Sequence, residues 1–344
     1  TQRKSGGKSL VYHQSSRLAA IGFSSLALLI LVLFAGCAER LETETDAQDP
    51  IQLAIAIRSW QQGKTEPMVQ AMEQLSEATE LFFRSPTIES RLVWQSAWIS
   101  AHDNFLGASI LYSPDKFQRI DAWPMEAGFL DSLPDYPGSG IVSDGTLEIT
   151  ATSLEEQHQI TDASEVALGF HVLEYYAFER DIEDFGSDAP NYQKRQQLVQ
   201  LVAELLLVDI TSFSRAQETE SEANQNSYPL LLLKIQRRFQ LVFSKFDLLG
   251  EHIPPNYGSA QNITTQLDAI AELLHEPVGL NHFLIELDPE STLTFNATLL
   301  EAQTLLSSME QPDGVTSSRL VLLIAFLEQK LGDFVTLLPV EGEI

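Results

Sequence analysis

Residues 167–176 read Ala-Leu-Gly-Phe-His-Val-Leu-Glu-Tyr-Tyr, and this stretch predicts the middle of a buried helix. Apolar side chains surround His171 and Glu174 on nearly every side, a pattern typical of a helix inside a core. Residues three apart lie on one helix face, so the pair would offer an imidazole nitrogen and a carboxylate oxygen to one point. A glycine inside a helix, such as Gly169 in this pattern, reduces helix stability by about 1 kcal/mol relative to alanine. Its presence therefore indicates that close packing or access to a site requires a residue without a side chain.

The pair His171/Glu174 has two interpretations. A carboxylate in apolar surroundings must be paired or must coordinate something, and in helical bundles a Glu and a His three residues apart supply part of a metal site. The spacing alone is weak evidence. The chain also contains two reversed pairs at this spacing, Glu155/His158 and Glu272/His275. Because of the apolar neighbours we take His171 and Glu174 as candidate metal ligands, with a buried polar pair as the alternative.

The first segment has the pattern of a secretory signal. Basic residues occupy its start, an apolar run spans Leu18 to Phe34, and Ala35-Gly36-Cys37 follows. The run Leu33–Cys37 resembles a bacterial lipobox, in which the cysteine is lipidated and becomes the mature N-terminus. Cys37 is the only cysteine, so a disulfide within the chain is excluded. We predict a signal peptide over residues 1–37 with lipidation at Cys37; an uncleaved signal anchor is the alternative, because the apolar run approaches the length of a membrane span.

Acidic residues dominate the chain beyond Cys37. Residues 38–344 hold 48 acidic against 17 basic residues, a net charge of −31. This charge argues against a nucleic-acid partner, whose phosphates need cationic contacts. It also repels anionic lipid head groups, so attachment to a membrane would rest on the N-terminal lipid anchor. The same charge raises the local concentration of cations, although solubility is a sufficient explanation for it.

Helical periodicity persists from Ile51 onward, and no alternating strand pattern does. The sequence therefore predicts an all-α fold of two antiparallel helical bundles. Residues 38–50 form an acidic tether with little to bury. A polar break near residues 218–227 predicts an N-terminal bundle over residues 51–222, which contains the motif helix, and a C-terminal bundle over residues 223–344.

Two further features lie in the first half of the chain. His102 follows Trp98 by one helical turn; we expect a core histidine bonded to a carbonyl, with a further metal ligand as the alternative. The break from Ser113 to Thr150 is rich in proline, and long ordered loops are usually functional. Within it, residues 119–124 read Arg-Ile-Asp-Ala-Trp-Pro.

Several of these motifs together resemble the imelysin-like family. Gly169-x-His171-x-x-Glu174 matches its Gly-x-His-x-x-Glu signature, and residues 120–124 resemble its Ile-Asp-x-Trp-Pro segment. The helix with Trp94 and Trp98 resembles an early helix of the family, in which lipoprotein signals are also common. The resemblance covers roughly residues 50–340.

The resemblance implies a fold, a location and a function. It implies two bundles with the motif helix near their interface, in a lipoprotein of the bacterial cell envelope that faces the periplasm. It implies a role in iron uptake, with His171 and Glu174 as metal ligands and with Gly169, Asp121 and Trp123 lining the site. The expected cofactor is a divalent or trivalent metal ion, iron rather than zinc, and the expected partners are the membrane and a membrane iron-transport protein.

Two other functions stay open. The family was first described as metallopeptidases, and a catalytic zinc usually needs three protein ligands; the sequence supplies His171 and Glu174 and lacks a His-Glu-x-x-His motif. We therefore predict no catalytic residues, and a metallopeptidase is the enzyme class to test. The remaining alternative is a metal-free helical scaffold in which His171 and Glu174 form a polar pair.

Overall fold

The computed structural model describes residues 50–112, 118–133, 135–136, 138–220, 227–247, 260–308 and 314–338. The predicted signal peptide, Cys37 and the acidic tether up to residue 49 lie outside the described residues. The helices in chain order are α1 (Pro50–Arg84), α2 (Ile88–Ala108), α3 (Ala127–Leu130), α4 (Ala151–Gln157), α5 (Phe170–Glu174), α6 (Tyr192–Glu220), α7 (Tyr228–Asp247), α8 (Ala260–Leu274), α9 (Leu280–Leu287), α10 (Pro289–Ser307) and α11 (Gly314–Thr336). The prediction of an all-α fold is confirmed.

Helix α1 runs without interruption from Pro50 to Arg84, although Pro67 lies in its interior. The sequence predicts two helices here, because proline normally begins a helix or breaks one. Packing overrides that tendency: Met68 and Leu75 are fully buried, and α1 contacts both α2 and α6 along its length. Just before the proline, the hydroxyl of Thr65 donates a hydrogen bond to the carbonyl of Gln61 at 2.8 Å.

Helix α2 is the central element of the packing. Its N-terminus is capped by Thr87, whose hydroxyl accepts a hydrogen bond from the Ser90 N–H. Helices α1 and α5 and the π-helical turn after α5 pack against it, and it also packs against α8. Helices α7 to α11 pack among themselves, with α10 against α8, α9 and α11. Helix α2 therefore joins the two groups of helices; the division into residues 51–222 and 223–344 stays a prediction.

Helix α6 is long and apolar enough over Tyr192–Arg215 to cross a membrane. One face of it is buried instead in the core, at Leu198, Val202 and Ile210. Because that face packs against α1 and α5, α6 has the features of the core helix of a globular bundle.

A buried ion pair fixes the proline-rich break to α6. The carboxylate of Asp131 accepts hydrogen bonds from the Arg195 guanidinium at 2.5 and 3.0 Å, and both side chains are buried. The same guanidinium also donates to the carbonyl of Asp184 at 2.6 Å. A buried charge is tolerated when it is paired and its hydrogen bonds are satisfied. The described part of the break, which includes residues 119–124, is consequently held in a defined position.

Candidate metal centre

The motif helix is shorter than the sequence predicts. Its α-helical part, Phe170–Glu174, begins directly after Gly169 and continues as a π-helical turn over Tyr175–Glu179. Gly169 is therefore not inside the helix; it caps it with φ of 97°. Asp162 with Glu165 three residues later has the pattern of a capping box and predicts a helix start there. The structure has a turn instead, in which the carboxylate of Glu165 accepts hydrogen bonds from the N–H groups of Thr161 and Asp162.

Gly169 is required by a close approach of two backbone segments. A Cβ atom at this position would lie 2.5 Å from the carbonyl oxygen of Ile120 and 2.8 Å from that of Arg119. The next residue, Phe170, donates its N–H to the same Ile120 oxygen at 2.8 Å. Only glycine combines a positive φ with this lack of bulk. The contact brings Asp121, the residue after Ile120, to the start of α5.

Two histidines converge there on one carboxylate oxygen. Oδ1 of Asp121 lies 3.1 Å from Nε2 of His171 and 3.0 Å from Nε2 of His102. The exposed fractions of the three side chains are 5% for Asp121, 0% for His171 and 1% for His102. These three groups offer ligand atoms that all lie within 4.8 Å of one another. His102 is indeed a buried histidine, but it contacts a carboxylate rather than the carbonyl that we expected.

Glu174 contacts the other nitrogen of the His171 ring. Its Oε2 lies 2.8 Å from Nδ1 of His171, with both side chains buried. The one-face geometry that the spacing predicts is thus present, and it brings the two residues into contact with each other. A direct metal bond from Glu174 stays a prediction, since the convergent group of possible ligands consists of His102, Asp121 and His171.

Aromatic rings enclose the two histidines. The Trp123 ring lies edge-on to the His171 ring, with centroids 5.2 Å apart. The Trp98 ring stacks on His102 at 4.7 Å, and its indole N–H donates to the carbonyl of Phe170 at 2.8 Å. Trp123, which we expected to line the site, therefore lies against it. Such apolar walls lower the local dielectric constant and strengthen the interactions between the charged groups inside.

The two carboxylates change the protonation of His171. Burial by itself lowers the pKa of His171, but the hydrogen bonds and charges of Asp121 and Glu174 outweigh burial and raise that pKa above its usual value. An ionised carboxylate only accepts hydrogen bonds, so both ring nitrogens of His171 are donors when the two acids are ionised. This arrangement favours the imidazolium form of the ring in the protein without metal.

Sequence reasoning identified most of these residues but not their arrangement. Helical periodicity predicts that His171 and Glu174 share one face. The spacing of one turn between Trp98 and His102 made His102 a second candidate ligand, as the alternative to a core histidine. No local pattern shows that Asp121 reaches both histidines, because its position depends on the backbone contact at Gly169.

We expect Gly169→Ala to destabilise the protein by at least about 1–3 kcal/mol, the usual cost of a strained backbone at a non-glycine residue. The added methyl group must also displace the Ile120 carbonyl. Chemical denaturation measures the change. Gly63→Ala on α1 is the matched control: its new Cβ meets nothing within 4 Å, and the exchange should stabilise the helix by about 0.5–1 kcal/mol. Equal effects of the two substitutions would contradict the close-approach argument.

The raised pKa of His171 predicts a pH dependence of stability without metal. A raised folded-state pKa contributes stability that is complete below the unfolded pKa, about 6.5, and disappears as the pH rises through the folded pKa. The free energy of unfolding of the chelator-treated wild type should therefore fall, relative to His171→Gln, as the pH rises above about 6.5. Parallel pH profiles of the two proteins would show that the carboxylates do not hold the proton on His171.

Known proteins share this fold. The chain matches the family model described as Imelysin over residues 66–277, a range that includes all four residues of the centre. A solved structure from Parabacteroides distasonis ATCC 8503, provisionally assigned as an iron-regulated protein A precursor, aligns with a TM-score of 0.60 and 12% identity, over 84% of this chain and 95% of that one. An imelysin-like protein from Psychrobacter arcticum 273-4 aligns with a TM-score of 0.57 and 11% identity, over 81% and 93% of the two chains.

No curated protein matches the chain. The family match extends over more than half of the residues and agrees with the motifs Gly169-x-His171-x-x-Glu174 and Ile120-Asp121-x-Trp123-Pro124, and the chain belongs to the imelysin family.

Proposed function

We propose that this chain is a lipoprotein of the bacterial cell envelope that binds a metal ion, iron in the first place, as part of iron uptake. The ligands are His102, Asp121 and His171, and Glu174 supports His171. The lipid on Cys37 would hold the folded chain at the periplasmic face of a membrane, close to a transport partner.

The convergence of three ligand atoms is the observation that carries this proposal. His102, His171 and Asp121 come from three separate segments, yet each offers a ligand atom within 4.8 Å of those of the other two. Two metal bonds of about 2.0–2.2 Å span at most about 4.4 Å, so ligand atoms up to 4.8 Å apart need only a small approach to share one ion. Two imidazoles and a carboxylate suit borderline cations, including divalent iron and zinc. On binding, the ion would replace the protons that the two rings now direct at Asp121.

Glu174 would support the ion through the His171 ring. A histidine that binds metal through one nitrogen usually donates the N–H of the other to a carboxylate, which fixes the ring and increases its basicity. The 2.8 Å contact between Nδ1 of His171 and Glu174 has this geometry. A direct bond from Glu174 to the ion would require that contact to break.

One observation supports iron in particular, and a second supports the binding of cations in general. A structural relative from Parabacteroides distasonis is assigned as an iron-regulated protein. In addition, the acidic surface, with 48 Asp and Glu against 21 Lys and Arg in the whole chain, raises the concentration of cations around the protein.

Metallopeptidase activity is the second candidate, because three protein ligands with an open position are also the pattern of a catalytic zinc. The burial of the three ligands argues against it, since a peptide bond must reach the ion. Two concave surfaces of the described chain share the residues Gln196, Gln200 and Glu204 of α6, and neither is lined by a residue of the candidate centre. A peptide-cleavage assay on the metal-loaded protein decides between carrier and enzyme.

Metal titration of residues 38–344 tests the central claim. We expect one Fe²⁺ or Zn²⁺ per chain in the wild type, with quenching of tryptophan fluorescence by iron because Trp98 and Trp123 contact the histidines. His171→Ala and Asp121→Asn should abolish binding, and Glu174→Gln should weaken it about 10- to 100-fold. His282→Ala is the control, because this histidine is exposed and pairs with the exposed Glu276. A folded wild type that binds neither ion would refute the proposal.

The anchor has its own test. In cells grown with a labelled fatty acid, the wild-type chain should carry the label and begin at residue 37, whereas Cys37→Ala should carry no label, because Cys37 is the predicted lipid-attachment residue. Treatment of whole cells and of spheroplasts with protease would locate the chain. If the wild type carries no lipid and keeps its apolar run, the signal-anchor alternative is correct.

A further inference from the structure

His158 connects the two segments that carry Asp121 and His171. It follows α4, where the sequence pairs it with Glu155 at helical spacing, but Glu155 instead forms an ion pair with Arg119 at 3.0 Å. The half-buried ring of His158 makes two hydrogen bonds. The N–H of Ala167 donates to Nδ1 at 3.2 Å, and Nε2 lies 2.9 Å from the carbonyl oxygen of Gln118.

These partners determine the protonation of the ring. A nitrogen that accepts from the Ala167 N–H carries no proton, so Nε2 carries it and donates to the Gln118 oxygen. The ring is therefore a neutral tautomer with both nitrogens used. Burial has the largest effect and lowers the pKa of His158; the Gln118 hydrogen bond raises it, the Arg119 charge lowers it further, and the net lowering favours the neutral form.

The two bonded residues lie just ahead of the ligands in the chain. Gln118 is three residues before Asp121, and Ala167 is four residues before His171. Further along, the two segments are joined by the hydrogen bond from the Phe170 N–H to the Ile120 carbonyl. The His158 ring therefore forms one of the cross-links that keep the segments side by side. Ala167 is fully buried, so its N–H would lose its partner if the ring were removed.

We propose that His158 is a positioning residue of the metal centre. Its ring fixes the Asp121 segment against the start of α5, so that Oδ1 of Asp121 and Nε2 of His171 stay close enough to share an ion. The effect on metal affinity rests on the proposed function, whereas the effect on the alignment of the two segments does not. Residues that orient a ligand without touching the ion typically affect metal affinity 10- to 100-fold.

The experiment compares four variants of the mature chain. His158→Phe removes both hydrogen bonds, His158→Asn keeps an acceptor near the position of Nδ1, and His158→Gln keeps a donor near the position of Nε2. The control is His282→Phe, which changes an exposed histidine. Amide hydrogen exchange of the metal-free proteins reports the alignment at Ala167 and Phe170, and titration with Zn²⁺ and Fe²⁺ reports affinity.

We expect His158→Phe to lose protection at the Ala167 and Phe170 amides and to bind both ions about 10- to 100-fold more weakly. The Asn and Gln variants should lie between it and the wild type, and His282→Phe should match the wild type. Unchanged exchange at both amides in His158→Phe would overturn the proposal.

Hydrogen exchange and metal titration test this inference and the proposed function separately. If the wild type binds no metal, the proposed function fails, and the exchange of Ala167 and Phe170 alone decides whether His158 positions the segments. If the wild type binds metal and His158→Phe binds it equally well despite a lower melting temperature, the residue is only structural and the proposal is wrong.

Discussion

The hydrogen bond from the Phe170 N–H to the Ile120 carbonyl is the interaction on which the candidate centre depends. It forms only because Gly169 has a positive φ and no side chain, so that the backbone of residues 119–120 can lie against it. Through this one contact, a proline-rich connection and a short helix become neighbours. Without this hydrogen bond nothing in the motif would place Asp121 next to His171, and Glu174 would be the carboxylate that pairs with His171.

The sequence allowed the fold class to be predicted, because the 3.6-residue periodicity of long apolar stripes depends only on local spacing. It also identified His171 and Glu174 as a pair, since that contact lies within one turn. It placed Gly169 wrongly, because a glycine before a helical pattern can be interior or a cap, and only a neighbouring backbone decides which. The junction of Asp121 with His102 was beyond prediction for the same reason: it depends on two segments whose approach no local pattern encodes.

His171 has both an apolar enclosure and charged hydrogen-bond partners. The Trp98 and Trp123 rings enclose the histidines in apolar surroundings, which makes unpaired charge costly. Carboxylates meanwhile contact both nitrogens of His171. Their hydrogen bonds offset the cost of burial while the ring is protonated. An ion that replaces the protons between His171, His102 and Asp121 would offset the same cost with stronger bonds, so burial favours occupation of the centre by some cation.

The three candidate ligands lie at positions 102, 121 and 171, on segments that only folding brings together. An unfolded chain offers no such cluster, so binding of an ion by the proposed centre would be thermodynamically linked to folding: an ion at about 100 times its dissociation constant would add about 2.7 kcal/mol to the stability of the native state. A chain that crosses a membrane unfolded would therefore arrive empty and would acquire its ion from the compartment in which it folds. The metal supply of that compartment would then set how much of the protein persists in the folded state.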